Sequence, residues 1–241
     1  MKNNLIPDGI IKLLRKDHLQ NVNILNFVED NPITGLFSKG SSILIKGISD
    51  KEWTYISSNN ETEFALLLNI LTGTNINFAV AEDWQLPIIK RKFDFEIELT
   101  TMKYYLPVEV NIPIPRTNKI FTLSAEHAEY IYNNSIYKDF LAVDYIKERI
   151  LKGISGGMFE DDKPIAWAIT HDDGAIGFLH VLEEFRNKGI AQDLTYYIIK
   201  KVREKNKIPF AHIEENNIKS INLAKKLGFK KFKQVHWLHT I

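Results

Sequence analysis

The segment FRNKGIAQDLTYYIIKKV, residues 185–202, places two cations and a glycine immediately before an amphipathic run. The first-turn amide groups of a helix have no intrahelical partners and lie at its positive end, which favours phosphate binding. Gly189 lets a ligand approach the backbone closely because it has no side chain. Arg186 and Lys188 add charge that suits a pyrophosphate. The segment therefore predicts an anion site, although an ordinary helix start has a similar pattern.

Strands and helices of regular spacing surround this segment. Three strand-like runs precede it, GGMFE (156–160), PIAWAIT (164–170) and AIGFLHVL (175–182), and their short links predict an antiparallel meander. A strand at 208–214 follows the helix, and the helical crossover predicts that it runs parallel to 175–182. A last helix (217–229), which Gly228 ends, and a strand (231–238) complete this half.

The chain ahead of the meander is less regular. KIFTL (119–123) reads as a short strand, Ser124 as the cap of a helix through Tyr132, and 142–153 as an amphipathic helix. The proline-containing segment PVEVNIPIPRTNK (107–119) reads as a strand end and a linker. We therefore predict two domains, 1–115 and 116–241.

The first half mixes helices and strands without a catalytic cluster. Helices are predicted at 6–16 and 60–71, the second with Asn60 as a cap, and a short helix interrupted at Pro87. The predicted strands all have alternating or continuous apolar residues and lie at 41–48, 51–57, 76–83 and 92–106.

Composition excludes several classes of protein. The 241 residues carry a net charge of +1, so neither nucleic acid nor a membrane surface is an expected partner. The chain contains no cysteine, which excludes disulfides and thiolate chemistry. The start lacks a signal-peptide pattern, and the apolar run FALLLNILTG (64–73) is too short to span a bilayer. We expect a cytoplasmic protein.

The order of three strands, R-x-x-G-x-A opening a helix, HIEENN, and a helix ending KKLGF resembles the GNAT superfamily of acyl-CoA-dependent N-acyltransferases. The resemblance covers roughly residues 117 to 240. It is strongest to the glycine N-acyltransferase-like branch, in which a degenerate GNAT-like half precedes the catalytic one. It implies an α/β (α+β) GNAT fold: a mixed, mostly antiparallel sheet with a splayed parallel strand pair, preceded by a smaller GNAT-like α/β half.

The resemblance also implies a cofactor site for acetyl-CoA, the acyl donor. The pantetheine arm would lie between the splayed strands and bond exposed backbone at Val181 and Leu182. Asn217, with Ser220 one turn further, would contact the arm, although Asn217 reads equally well as a helix cap. The pyrophosphate motif falls on Arg186, Gly189 and Ala191, within a loop that also contains Asn187, Lys188 and Ile190.

The catalytic positions depart from the family pattern. The glutamate base of many relatives corresponds to Ala175, and the tyrosine acid of the last helix corresponds to Ala224. The candidate substitutes are Asp173, His180 and Glu214, each of which also has an ordinary structural reading. Strand alternation predicts that His180 lies on the face opposite Ala175. No metal site is expected, because His171 and Asp172–Asp173 cannot all face one ion from an extended strand.

Three functions remain open from the sequence. The first is an acetyl-CoA-dependent N-acetyltransferase in which a small amine or amino acid attacks the thioester directly. The second is an acyl-CoA-binding sensor without turnover, which the two alanines favour. The third is transfer to a protein amine or of a longer acyl group. The oligomeric state is also open, and the sequence allows a homodimer.

Overall fold

The computed structural model describes residues 6–117, 119–135, 138 and 141–241, so Asn118 of the predicted linker lies outside the described residues. Contacts divide the chain into two compact units, Met1–Lys103 with Phe232–Ile241, and Tyr104–Lys231. These units are not the two predicted halves, 1–115 and 116–241, whose standing as two domains stays a prediction.

Two successive stretches of the chain have the same order of elements: two helices, three strands, helix, strand, helix, strand. The first comprises α1 (Asp8–Arg15), α2 (Val22–Asp30), β1 (Ile33–Lys39), β2 (Ser42–Ile48), β3 (Glu52–Ser57), α3 (Glu61–Leu68), β4 (Asn77–Ala81), α4 (Leu86–Lys90) and β5 (Phe95–Tyr105). The second comprises α5 (Ala128–Asn133), α6 (Val143–Lys152), β6 (Ser155–Glu160), β7 (Lys163–Thr170), β8 (Ile176–Val181), α7 (Ile190–Glu204), β9 (Phe210–Ile213), α8 (Ile218–Lys226) and β10 (Lys230–Thr240). Short 3-10 helices at Ala125–His127 and Glu183–Phe185 precede α5 and α7.

The first unit is a mixed sheet in the strand order β1-β2-β3-β4-β10-β5. The β1–β2, β2–β3 and β4–β10 pairs are antiparallel, whereas β3 and β4 are parallel. Alternate side chains of β2 point to opposite faces. Ile43 and Ile45 belong to the core that α1 and α2 cover, and Leu44 belongs to the core beneath α3 and α4. The sheet is therefore covered by helices on both faces.

The second unit contains the predicted meander, in which β6, β7 and β8 pair antiparallel. On one face, Trp167 and Ile169 of β7 pack with Ile131 of α5 and Ile146 of α6. On the other face lies α7, whose Tyr197 ring rests on the backbone of β6: a Cβ at Gly156 would lie 2.9 Å from that ring. Helices on both faces therefore fix the position of the meander.

A β-bulge interrupts β8 just before its carboxyl end. Trp167 pairs with His180 and Ile169 pairs with Gly177, so three steps along β8 oppose two along β7. Phe178 has a φ of 49° within the bulge. His180 and Gly177 therefore lie on the same face of the sheet, the face of Trp167. The prediction that His180 lies on the face opposite Ala175 was therefore wrong. It counted alternate residues along the strand, and such a count does not include the residue that the bulge inserts.

The strands β8 and β9 are neighbours that belong to different hydrogen-bonded sets. They contact each other, yet the three-stranded sheet that includes β8 does not include β9 within the described residues. Backbone groups on the β9 side of β8 are therefore not used in a ladder with that strand. This is the arrangement that the prediction of a splayed pair requires.

Most other elements agree with the sequence predictions, with four differences. KIFTL is not a strand: Phe121 forms one isolated bridge to Gly157, because the segment meets the edge of β6 at a single residue. Pro87 does not interrupt α4 but lies in its first turn, where its missing N–H costs nothing. Helix α2 and strand β1 were not predicted.

Candidate functional site

The turn between β8 and α7 has the backbone form that an anion site needs. Gly189 precedes the helix at a φ of 79°, and Asn187 has a φ of 62°. Arg186, Asn187 and Lys188 are exposed, while the Ile190 side chain that opens the helix is buried. The first-turn amides, including that of Ala191, are the groups that a helix leaves without intrahelical partners.

The carboxyl end of β8 directs backbone groups toward β9. The Leu182 amide donates to the Ile165 carbonyl at 2.9 Å, so this group is already bonded within the meander. Because backbone direction alternates along an antiparallel pair, the neighbouring Val181 faces away from β7. The Val181 carbonyl accepts a hydrogen bond from Nε of Arg186 at 3.0 Å. Arg186 thus ties the turn to the end of β8, and the Val181 amide faces the gap beside β9.

Asn217 caps the helix that follows β9. Its Oδ1 accepts a hydrogen bond from the Ser220 amide at 3.1 Å, and its φ and ψ are not helical. The cap reading of Asn217 is therefore correct, while contact of Asn217 or Ser220 with a cofactor stays a prediction. Glu214 lies one residue beyond β9 and is half-buried, and its carbonyl accepts from the Asn217 amide at 3.1 Å.

A buried acid–base pair links the start of β8 to β9. Asp173 Oδ2 lies 3.6 Å from Nε2 of His212, and both side chains are almost fully buried. Asp173 Oδ1 accepts the Ala175 amide at 2.9 Å. Burial alone would raise the pKa of Asp173. Three effects outweigh burial and hold the pKa far below the usual range: the contact with His212, the charges of His212 and His171, and the hydrogen bond from the Ala175 amide. The Asp173 carboxylate is therefore charged at neutral pH.

The sequence prediction included Asp173 but missed His212. The two residues are 39 positions apart, and nothing in their spacing indicates a contact. The one signal was the position of His212 within the strand that was expected to flank the gap.

His180 lies in a different environment. Its ring stacks on the Trp167 indole, with centroids 4.8 Å apart and 17° between the planes. Burial, with the charge of Arg186, lowers the pKa of His180 and favours the neutral imidazole. His180 could thus accept a proton, but its ring is held flat against the core of the second unit. The structure does not bring it together with the Asp173–His212 pair in any described contact.

The two positions at which the sequence resemblance leads us to expect catalytic side chains are occupied by buried alanines. Ala175 is 1% exposed and Ala224 is 5% exposed. Neither could donate or accept a proton, so any acid–base chemistry must come from other residues. Among the described residues, no group of three metal-binding side chains is gathered, and none of their helices is long and apolar enough to cross a membrane.

Comparisons with known proteins support the fold that this geometry indicates. Residues 153–238 match the family model described as FR47-like protein. No curated protein matches the sequence. The segment that matches the family contains β6 to β9, the turn before α7 and the Asp173–His212 pair.

Solved structures extend the similarity along the whole chain. A Drosophila protein solved by structural genomics superposes with a TM-score of 0.81 at 14% identity, covering 98% of this chain and 97% of its own. A GCN5-related N-acetyltransferase from Kribbella flavida has a TM-score of 0.61 at 12% identity, with 92% and 94% covered. A tandem GNAT protein from the clavulanic acid biosynthesis pathway has a TM-score of 0.52 at 12% identity, with 91% and 87% covered. The chain therefore has the mixed, mostly antiparallel GNAT fold.

Proposed function

We propose that this protein is an acetyl-CoA-dependent N-acetyltransferase that acts on a small amine or amino acid. The observation that carries the proposal is the turn Arg186–Gly189, which leads from β8 and the short 3-10 helix after it into α7, with Gly189 in the left-handed region. In a GNAT fold, this is the turn where free helix amides and cations can hold a pyrophosphate.

The proposed cofactor site uses groups from three elements. The amides of Ile190 and Ala191, with the charges of Arg186 and Lys188, hold the pyrophosphate. The Val181 amide bonds the pantetheine arm in the gap beside β9. The Leu182 amide is not available to the arm, because it already bonds the Ile165 carbonyl. Asn217 and Ser220, at the start of α8, complete the site on the far side of the gap.

The proposed reaction is direct attack of a neutral amine on the thioester carbon. The C–N bond forms, the C–S bond breaks, and CoA leaves as a thiolate that takes a proton from water. His212 accepts the proton that the amine loses, and the charged Asp173 stabilises the resulting imidazolium. Glu214 at the end of β9 remains the second candidate base, and His180 the third.

The first half is proposed as a degenerate GNAT-like half without a pyrophosphate site of its own. Its α3 occupies the place that α7 has in the repeated order of elements, but α3 begins with Glu61 and Glu63 instead of cations. The Glu63 carboxylate accepts hydrogen bonds from the Ser41 amide at 3.1 Å and the Ser42 hydroxyl at 2.7 Å. Negative charge at this helix start disfavours a second pyrophosphate site.

A sensor that binds acyl-CoA without turnover is the second candidate function. The specific observation in its favour is that Ala175 and Ala224 fill both familiar catalytic positions with buried methyl groups. The two candidates predict the same cofactor binding and differ in one readout: acceptor-dependent release of free CoA contradicts the sensor. A series of acyl-CoA chain lengths separates acetyl transfer from transfer of longer groups.

The first test is calorimetric binding of CoA and acetyl-CoA to the purified protein. We expect measurable binding that Arg186→Ala and Gly189→Glu each weaken at least about tenfold, because the first removes a cation and the second adds a strained, anionic side chain at the left-handed position before α7. Lys200→Ala is the matched control, because it removes an exposed cation from the same helix away from the turn. Unchanged binding in both site variants would contradict the proposed cofactor site.

A further inference from the structure

A polar contact with several hydrogen bonds joins the proposed cofactor helix to Arg116, which lies between the two repeated stretches. Arg116 donates through its backbone amide and its Nε to Asp193 Oδ1, each at 3.2 Å, and through Nη2 to Oδ2 at 3.0 Å. The Asp193 side chain is 6% exposed, whereas the Arg116 side chain is 63% exposed. Arg116, which lies outside the helices and strands, thus bonds the buried Asp193 carboxylate through both its backbone amide and its guanidinium.

The same guanidinium also holds the turn before α7. Nη2 of Arg116 donates to the Lys188 carbonyl at 3.4 Å. A Cβ at Gly189 would overlap Nη2 of Arg116, so the space beside this glycine is filled by the guanidinium. Gly189 is therefore needed both for its positive φ and for the close approach of Arg116.

The charge of Asp193 makes this contact relevant to an anionic ligand. Asp193 is the fourth residue of α7, within one turn of the amides proposed to hold the pyrophosphate. A carboxylate there repels a phosphate across a short distance, and its burial removes the water that would screen it. Arg116 neutralises this carboxylate, and its own charge lies against the Lys188 carbonyl on the turn itself.

We propose that Arg116 is a positioning residue for acyl-CoA, which fixes the Lys188–Gly189 backbone and neutralises Asp193 so that the turn can accept a diphosphate. The inference rests on the proposed function and deepens it, because it assigns a role to Arg116, which the sequence places in a linker. It also predicts selectivity within the ligand: the contribution of Arg116 acts on the phosphates of CoA and not on its pantetheine arm.

The test compares CoA with pantetheine, which lacks the diphosphate, by calorimetry on the full chain. Arg116→Ala is expected to weaken CoA binding about tenfold or more, because it leaves a buried carboxylate unpaired beside the phosphates. Pantetheine binding is expected to change less than about twofold. Arg116→Lys retains the charge but not the bidentate guanidinium contact. Its CoA affinity should therefore lie between that of Arg116→Ala and that of the unsubstituted protein.

A second substitution separates the charge effect from loss of structure. Adding Asp193→Asn to Arg116→Ala removes the unpaired carboxylate and is expected to restore part of the lost CoA affinity. If acetyl transfer is detected, Arg116→Ala should raise KM for acetyl-CoA and leave kcat nearly unchanged. Thermal unfolding of each variant measures whether the fold is retained.

The outcomes distinguish this inference from the proposed function. CoA binding by the unsubstituted protein with no loss in Arg116→Ala overturns the role of Arg116 and leaves the proposed function standing. Equal losses for CoA and pantetheine, or no recovery with Asp193→Asn, also overturn it, because the effect would then not act through the phosphates. Failure of the unsubstituted protein to bind CoA overturns both.

Discussion

At the scale of single residues, the proposed chemistry depends on a pair of residues, Asp173 and His212, that comes from distant parts of the chain. Asp173 lies in the turn before β8 and was a sequence candidate, whereas His212 lies on β9 and was not. Turn composition indicates where an aspartate is placed, but a contact between two strands is decided by packing. A pairing of this kind cannot be deduced from spacing in one sequence.

The Asp173–His212 pair gives the first residue-scale prediction. His212→Gln and Asp173→Asn should each lower kcat for acetyl transfer by about 10²- to 10⁴-fold, because proton removal from the amine loses its acceptor or the charge that stabilises the imidazolium. CoA affinity should be retained, because neither residue belongs to the pyrophosphate turn. The measurement is release of free CoA with a reactive acceptor.

The control for this pair is the neighbouring carboxylate. Asp172 accepts a hydrogen bond from the Tyr145 hydroxyl at 3.2 Å, and Asp172→Asn retains an oxygen for that bond. We expect it to leave kcat nearly unchanged. The double variant Asp173→Asn/His212→Gln should be no slower than the slower single variant, because the two residues act as one unit. Full activity in both single variants would show that the base lies elsewhere.

At the scale of elements, predictions succeeded where the local pattern matches the final environment. The meander and α7 have strong periodicity, and their links are too short for another topology. The bulge in β8 escaped prediction because it depends on the register with β7, which the sequence does not state. Helix α2 also escaped, because its almost continuous burial obscures the amphipathic pattern of a helix.

The cap of α8 supplies the element-scale prediction. Asn217 Oδ1 bonds the Ser220 amide, so Asn217→Ala should lower the free energy of unfolding by about 1 kcal/mol. Asn217→Asp retains the cap and adds a negative charge beside the proposed ligand. It should therefore preserve stability while weakening CoA binding, whereas equal stability of the alanine variant and the unsubstituted protein would contradict the role of the cap. Urea unfolding and calorimetry are the two measurements.

At the scale of the whole molecule, the repeated order of elements does not coincide with the compact units. The second stretch ends with β10, yet Phe232–Ile241 belongs to the first unit, where β10 lies between β4 and β5. The sequence predicted a strand there but not its partners, because pairing between distant strands leaves no local signal. A boundary drawn at the proline-rich linker follows chain order, whereas the compact units follow strand pairing.

The global pH dependence of stability is a prediction for the molecule as a whole, and His180 contributes to it with a definite sign. Burial and the charge of Arg186 lower the pKa of His180 in the fold below the value of about 6.5 expected when unfolded. The unfolded chain therefore binds more protons than the folded one as the pH falls through this range, and the free energy of unfolding decreases. The contribution of neutral His180 to the free energy of unfolding is complete at pH values above the pKa of the unfolded state. It is lost as the pH falls through the lower pKa of the folded state.

Urea unfolding at several pH values between about 7.5 and 5 measures this dependence. We expect the free energy of unfolding to fall toward the acidic end, and His180→Gln to reduce the slope, because glutamine has no proton to bind. The glutamine variant loses the stacking contact with Trp167, so its stability should be lower at pH 7.5 and should approach that of the unsubstituted protein near pH 5. Parallel stability curves for the two proteins would contradict a lowered pKa for His180 and would mean that its imidazole is protonated as readily in the fold as in the unfolded chain.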